Sequence, residues 1–205
     1  MRIVLATKNK GKVSEFQSLF NHSCFQHKII NLDAYPELDK IPENGRTFKE
    51  NAFIKAKTVA DYTQLLSIAD DSGLEVDVLN EEPGIYSARY SGEQSTDQDN
   101  NQKLLNKLHD IPIPKRTARF RCALVAFAPN GQYLDVEGIW EGLVAESPHG
   151  EKGFGYDPIF WDQDYEMTAA DMDQQTKNKL SHRGKALRKL IKLWPEFLRS
   201  IDEYK

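Results

Sequence analysis

The stretch ARFRCALVAFA at residues 118–128, followed by PNG at 129–131 and YLDVEGIWEGLVAE at 133–146, decides the fold class of this chain. Both flanks are rich in aliphatic, aromatic and β-branched residues, and Pro129-Asn130-Gly131 supplies the turn between them. Two long β-runs joined by so short a loop predict a hairpin. Upstream, Arg2-Ile3-Val4-Leu5-Ala6-Thr7 is a short strand-like run closed by the polar stretch Lys8-Asn9-Lys10-Gly11-Lys12. Val13, Phe16, Leu19 and Phe20 then recur at helical spacing. A strand–turn–helix opening and a later hairpin together predict an α/β protein. Its elongated β-sheet is expected to be mixed, with flanking helices forming two lobes around a central groove.

The rest of the chain fits that plan. Lys28 to Leu32 predicts a second strand. Thr47 to Thr63 predicts a helix with Phe48, Ala52, Phe53, Ala56, Val59 and Ala60 on one face, opened by a Thr47/Glu50 capping box. The apolar run Leu65–Ala69 is expected to stop at Asp70-Asp71-Ser72-Gly73, and Leu74–Leu79 then alternates as a further strand. Pro83-Gly84 marks a turn, Asp97–His109 a helix, Ile111–Pro114 an extended linker and Gly150–Gly155 a glycine-rich loop. Ser181–Ile201 reads as a basic helix interrupted at Pro195. With no repeat and no obvious linker, residues 1–205 are expected to form one domain with two lobes.

Composition narrows the function classes. Of 205 residues, 40% are hydrophobic and 28% charged, enough for a buried core. The net charge of −4 argues against general binding to nucleic acid or anionic membranes. Cys24 and Cys122 lie far apart without redox or metal-ligand spacing and read as reduced thiols. The N-terminal apolar run is too short for a signal peptide and no run reaches membrane-spanning length, so a cytoplasmic location is expected.

Four polar segments can carry chemistry, and each also has an ordinary structural explanation. Thr7 to Lys12 joins a strand to a helix N-terminus, where free N–H groups, the helix dipole and lysines favour phosphate. Alone, a solvated turn with surface lysines explains it better. Asp70-Asp71 after a buried strand needs a balancing cation, and magnesium suits paired carboxylates. Neighbouring residues on extended chain point oppositely, so only one faces a cleft. An Asp-Ser-Gly turn explains the segment equally well. Gly153-Phe154-Gly155-Tyr156-Asp157-Pro158 can present a ring to a planar base, although in isolation Phe154 and Tyr156 read first as core anchors. In the segment Lys177–Lys185, His182 and Arg183 fall in the first turn of a helix, after Ser181. Cations there oppose the dipole, so they either meet an anion or keto oxygen or form a solvated basic helix start.

Taken together and in order, these segments closely resemble the inosine/xanthosine triphosphate pyrophosphatase family, also called Ham1-like. The matching stretches are Leu5–Lys12, Thr47–Ala52, Ala69–Leu74, Pro83–Tyr90, Gly153–Pro158 and Ser181–Arg183. The resemblance runs from residue 3 to about residue 190, and Asp171 departs from it where the family more often has Glu. It implies a soluble, usually homodimeric enzyme that hydrolyses ITP, dITP and XTP to the monophosphate and pyrophosphate, clearing them from the nucleotide pool. It further implies that Thr7, Lys8, Asn9, Lys10, Gly11 and Lys12 hold the triphosphate. Asp71 would act as proton acceptor and, with Glu43, as a Mg2+ ligand, while Ser72 touches substrate. Phe154, Gly155, Tyr156, Asp157, Lys177, His182 and Arg183 would form the nucleoside side.

The chemistry agrees with that assignment. Cleavage between α- and β-phosphates needs a positioned water, a base and a cation. A 6-keto purine offers an acceptor to donors such as Arg183 and His182, where adenine offers an amino group. Donors left unpaired against adenine cost about 1–3 kcal/mol each, roughly 10- to 100-fold. Two rivals fit less well. A Maf-like pyrophosphatase pairs serine with arginines in its N-terminal loop, which residues 5–12 do not. A non-catalytic nucleotide- or RNA-binding module has no use for the Asp70-Asp71 pair.

Overall fold

The computed structural model of the protein describes residues 1–21, 27–38 and 41–202, and Cys24 lies outside them. Among the described residues, seven strands form one sheet in the order β2-β1-β3-β4-β5-β6-β7. They are β1 (Arg2–Leu5), β2 (Lys28–Asn31), β3 (Leu66–Val76), β4 (Thr117–Phe127), β5 (Tyr133–Val144), β6 (Phe160–Asp162) and β7 (Met167–Thr168). The helices are α1 (Lys10–Asn21), α2 (Phe48–Thr63), α3 (Asp97–Lys107), α4 (Gln174–Leu180) and α5 (His182–Asp202).

The sheet is mixed, as the hairpin requires. β1 runs parallel to both β2 and β3, with Ile3 opposite Ile29 and Leu66. The chain between those strands includes a helix in each case, the connection a parallel pair demands. β4 and β5 are neighbours joined by five residues, too few for a parallel crossover, so they run antiparallel. β6 and β7 complete the sheet in antiparallel register.

The chain divides into two compact units, each with its own core. The first comprises Met1–Asp71, Cys122–Gly138 and Arg183–Lys205. Ile3, Leu5, Leu66 and Ile68 there pack with Phe16 and Phe20 of α1 and with Leu187, Leu190 and Trp194 of α5. Ser67, between Leu66 and Ile68, points the other way and donates to the Ala56 carbonyl of α2 at 2.5 Å. Helices thus cover both faces of the strands in this unit, which explains why β4 is buried without alternation from Cys122 onward. The second unit comprises Ser72–Arg121 and Ile139–His182. Leu74, Leu104, Leu108, Phe120, Trp140 and Phe160 fill its core. Here β4 alternates, with Ala118 and Phe120 inward and Thr117, Arg119 and Arg121 partly exposed.

Local departures from the sequence expectations have physical causes. The expected break at Asp70-Asp71-Ser72-Gly73 does not occur, and β3 runs through it. The carboxylates find cationic partners, and Gly73 lets the chain after Pro83 lie against the strand. A Cβ at Gly73 would stand 2.3 Å from Ser87 Oγ and 2.5 Å from the Gly84 carbonyl oxygen. That contact is a hydrogen-bonded one, for Ser87 Oγ accepts from Leu74 N at 2.9 Å and donates to Gly84 O at 2.6 Å. The Thr47 cap forms as expected, accepting from Glu50 N at 3.1 Å. Glu50 itself reaches back to Arg46 N at 2.6 Å and not to its cap residue. Pro195 sits inside α5 without ending it. Trp194 and Phe197 beside it are buried in the first core, which offsets the lost backbone hydrogen bond. Of the linker Ile111–Pro114, expected to be extended, Ile113 and Pro114 close with Lys115 into a 3-10 turn.

Gly73→Ala is expected to destabilise the protein by about 1–3 kcal/mol, the cost of overpacking against backbone. Thermal melts should show a lower midpoint, and an unchanged midpoint would mean the Ser87 loop shifts freely.

Candidate active site

In the first unit the site begins where β1 ends. Thr7 Oγ1 accepts from Asn9 N at 3.2 Å, and Asn9 Oδ1 accepts from Lys12 N at 3.0 Å. Asn9 is therefore the cap of α1 and turns the loop onto the helix start. The first turn of α1 holds no acidic residue but does hold Lys10 and Lys12. Cations beside the positive end of a helix dipole make the place attractive to an anion.

Asp70 and Asp71 face opposite sides of β3, as the pleat requires. Asp70 is 1% exposed and forms ion pairs with Lys12 Nζ at 2.8 Å and Arg183 Nε at 3.4 Å. Arg183 Nη1 also meets Glu15 Oε2, so a buried guanidinium is set between two carboxylates. Burial pushes Asp70 up, but Lys12 and Arg183 outweigh it and hold the carboxyl well below the usual range. The same carboxylates hold Arg183 protonated against its burial.

Asp71 belongs to a different set. Its Oδ1 accepts from Lys55 Nζ at 3.1 Å and its Oδ2 from Asn51 Nδ2 at 3.1 Å. Lys55 also donates to Glu43 Oε1 at 2.9 Å, and Asn51 Oδ1 accepts from Gly45 N at 2.8 Å. Burial raises the Asp71 carboxyl above its ordinary value. Lys55 and Lys12 oppose that rise and Glu43 adds to it. A carboxylate raised in this way accepts a proton more readily than its neighbour Asp70.

Two oxygen donors, Asp71 and Glu43, thus converge on one ammonium. Hard carboxylate oxygens that reach a single cation suit a divalent ion such as magnesium. Among the described residues no group of three His, Cys, Asp or Glu side chains could hold a metal. Any ion there therefore needs phosphate oxygens or water as its further ligands, which is how magnesium is ordinarily bound.

In the second unit, Ser72 follows Asp71 as a half-buried residue of β3. The loop Gly153–Asp157 is held from inside. Asp157 Oδ2 accepts from Phe154 N at 2.8 Å and from Lys177 Nζ at 2.7 Å. Gly153 has φ +79°, and a Cβ there would fall 2.1 Å from Asp157 Oδ2, so the turn requires glycine. Lys177 Nζ stands 5.3 Å from the centre of the half-buried Phe154 ring. Tyr156 is a core residue whose hydroxyl donates to the Ser87 carbonyl at 2.9 Å, the anchor alternative weighed from the sequence. His182 is buried and stacks on Phe120, with centroids 4.6 Å apart.

Glu15, Asn51 and Lys55 were not assigned from the sequence. Their signal was visible, since Asn51 and Lys55 are polar residues on the apolar side of α2 among Phe48, Ala52, Ala56 and Val59. Glu15 likewise sits beside Phe16 on the buried side of α1. Buried charge needs a partner, so each pointed to an opposite charge elsewhere in the chain.

Residues 3–193 match the family model described as the Ham1 family. A dITP/XTP pyrophosphatase of Nitratidesulfovibrio vulgaris is 47% identical over 203 residues, covering 96% of this chain and 97% of that protein. One from Desulforamulus reducens is 46% identical over 193 residues, covering 94% and 95%. The solved structure of a HAM1 protein from Coxiella burnetii superposes with a TM-score of 0.86 at 41% identity, covering 96% of this chain and 99% of that one. The chain belongs to the Ham1 family.

The Arg183 pairs lead to a stability prediction. Arg183→Ala leaves Glu15 and Asp70 buried with less positive charge and should cost about 3–5 kcal/mol. Arg183→Lys keeps a cation and should lose less. Urea denaturation at neutral pH checks both, and equal stability of the alanine variant would mean the carboxylates do not depend on the guanidinium.

Proposed function

We propose that this protein hydrolyses nonstandard purine nucleoside triphosphates, ITP, dITP and XTP, to the monophosphate and pyrophosphate, and so removes them from the nucleotide pool. It is a hydrolase of phosphoric anhydrides. The observation that carries the proposal is the Asp71–Lys55–Glu43 cluster, in which a carboxylate with raised proton affinity stands one residue from Asp70, the partner of Lys12. The names of the close relatives, dITP/XTP pyrophosphatases at 46–47% identity over nearly the whole chain, support the substrate class.

The roles follow from the chemistry. Thr7, Lys8, Asn9, Lys10, Gly11 and Lys12 take the triphosphate, with loop N–H groups and lysine charge meeting the phosphate oxygens. Asp71 accepts a proton from the attacking water. The water oxygen bonds to phosphorus as the bond to the bridging oxygen breaks, and pyrophosphate leaves. Asp71 and Glu43 would hold Mg2+, which when bound neutralises charge on the phosphate oxygens. Ser72 contacts substrate. Phe154, Gly155, Tyr156, Asp157 and Lys177 serve the nucleoside, with the Phe154 ring as the stacking element and Asp157 and Lys177 as its frame. His182 and Arg183 read the 6-keto oxygen. Their orientation is fixed in advance, His182 by Phe120 and Arg183 by Glu15 and Asp70, and pre-oriented donors discriminate better than flexible ones.

The whole chain functions as one pyrophosphatase domain, as a homodimer in the cytoplasm. No helix among the described residues is long and apolar enough to cross a membrane.

A panel of nucleoside triphosphates assayed for pyrophosphate and monophosphate tests the proposal. ITP, dITP and XTP should be turned over at least 10-fold more efficiently than ATP, and chelation of divalent ions should stop the reaction. Equal rates on ATP would sink the substrate assignment. Asp71→Asn should lower kcat by about 100-fold or more, as expected for loss of a general base, while its melting curve stays cooperative. Near-normal turnover in that variant would remove Asp71 from its role.

A further inference from the structure

The loop Gly153–Asp157 is fixed from a second direction, by a helix that no part of the proposed chemistry uses. Gly155 N donates to Asp97 Oδ2 at 2.7 Å, and the Gly155 carbonyl accepts from Asn101 Nδ2 at 3.0 Å. Both backbone polar groups of one loop residue are therefore held by side chains four positions apart, on one face of α3. The adjacent Tyr156 is pinned through its hydroxyl to Ser87, and Phe154 N through Asp157. Three consecutive residues are tied to three different parts of the second unit.

Asn101 carries a further mark. It is 7% exposed, and its Oδ1 is buried with no donor among the described residues. A buried acceptor without a donor weakens a fold, and an apolar residue of similar size would remove that weakness. Asn100, the residue before it and more deeply buried, shows that burial alone does not force the defect. Its Oδ1 accepts from Ser91 N at 2.7 Å and Ser95 Oγ at 3.0 Å. What Asn101 supplies that leucine cannot is the amide N–H on Gly155.

We infer that Asp97 and Asn101 are positioning residues for nucleoside recognition: α3 sets where the Phe154–Asp157 backbone stands, and so where the ring of Phe154 meets the base. The inference rests on the assignment of this loop to the nucleoside. It assigns nothing to the triphosphate end, and that asymmetry makes it testable. Fixing a recognition loop before binding removes its ordering entropy from the binding step. Loosening it should weaken substrate binding without changing the chemical step.

Asn101→Leu is the informative variant. It removes the donor and the unsatisfied acceptor together, so the fold should hold, while the partly exposed Gly155 carbonyl can turn to water. The KM for dITP should rise about tenfold, the effect of one lost hydrogen bond, with kcat within about twofold of wild type. The melting temperature should stay within about 2 °C. Inhibition by inorganic triphosphate, which has no base, should be unchanged. Asp97→Asn, which keeps an acceptor, should behave as wild type, while Asp97→Ala should raise KM about threefold.

An unchanged KM in Asn101→Leu, with or without a lower melting temperature, overturns the inference and leaves α3 a purely structural support. Weakened inhibition by inorganic triphosphate overturns it as well, because the damage then reaches beyond the nucleoside. A wild-type protein that turns over no 6-keto triphosphate sinks the nucleoside assignment and this inference with it. That failure is seen before any variant is made.

Discussion

Two adjacent carboxylates on one extended strand cannot share a surroundings, and the first unit is organised by that constraint. The pleat of β3 sends Asp70 to one side and Asp71 to the other. Each then needs its own cations, because an unpaired buried carboxylate is untenable. Asp70 draws Lys12 from α1 and Arg183 from α5, while Asp71 draws Lys55 from α2. Three helices are thereby fixed to two neighbouring residues of one strand. Glu15 and Glu43 extend the two sets, each sharing a cation with one of the aspartates.

That arrangement would let Lys12 take the phosphate role proposed for it without leaving its carboxylate stranded. Lys12 is the more exposed of the two Asp70 partners, and Arg183 lies deep. A phosphate competing for Lys12 would still leave Asp70 its guanidinium. Buried ion pairs rarely add much net stability, yet breaking one costs several kcal/mol. Redundancy at Asp70 therefore fits a site meant to exchange one of its partners.

The fold was legible in the sequence where a single local rule decides the outcome. The hairpin around Pro129-Asn130-Gly131, the strand–turn–helix at residues 2–21 and the Thr47 cap all appear where turn chemistry and periodicity place them. The continuity of β3 was not legible. Asp70-Asp71-Ser72-Gly73 has the composition of a turn, and only partners distant in the chain keep it extended. Pro195 is the same kind of case, since burial of Trp194 and Phe197 overrides a local helix breaker. At the candidate site, the motifs pointed to the Thr7–Lys12 loop and to Asp71, and the structure gives both of them charged partners. The network that tunes them was missed because Glu15, Asn51 and Lys55 look like ordinary polar residues until the strand they face is known. A charged residue on an apolar helical stripe was the available clue, and it predicts a partner without saying which.

The division of labour between the aspartates can be argued from environment alone. Both are aspartates and both are buried, so their identity cannot decide which is better suited to act as a base. The charges around them do. Burial pushes Asp70 up, but Lys12, Arg183 and Lys55 outweigh it and hold the carboxyl ionised far below the ordinary range, where it has little affinity for a proton. Burial lifts Asp71 while Lys55 offsets only part of the rise, and Glu43 nearby adds to it. Adjacent groups whose proton affinities are driven apart take different roles, one as a fixed counter-charge and the other as a proton acceptor. By that criterion Asp70 is suited to anchor Lys12 and Arg183, and Asp71 is the better suited of the two to the proton-accepting role proposed for it.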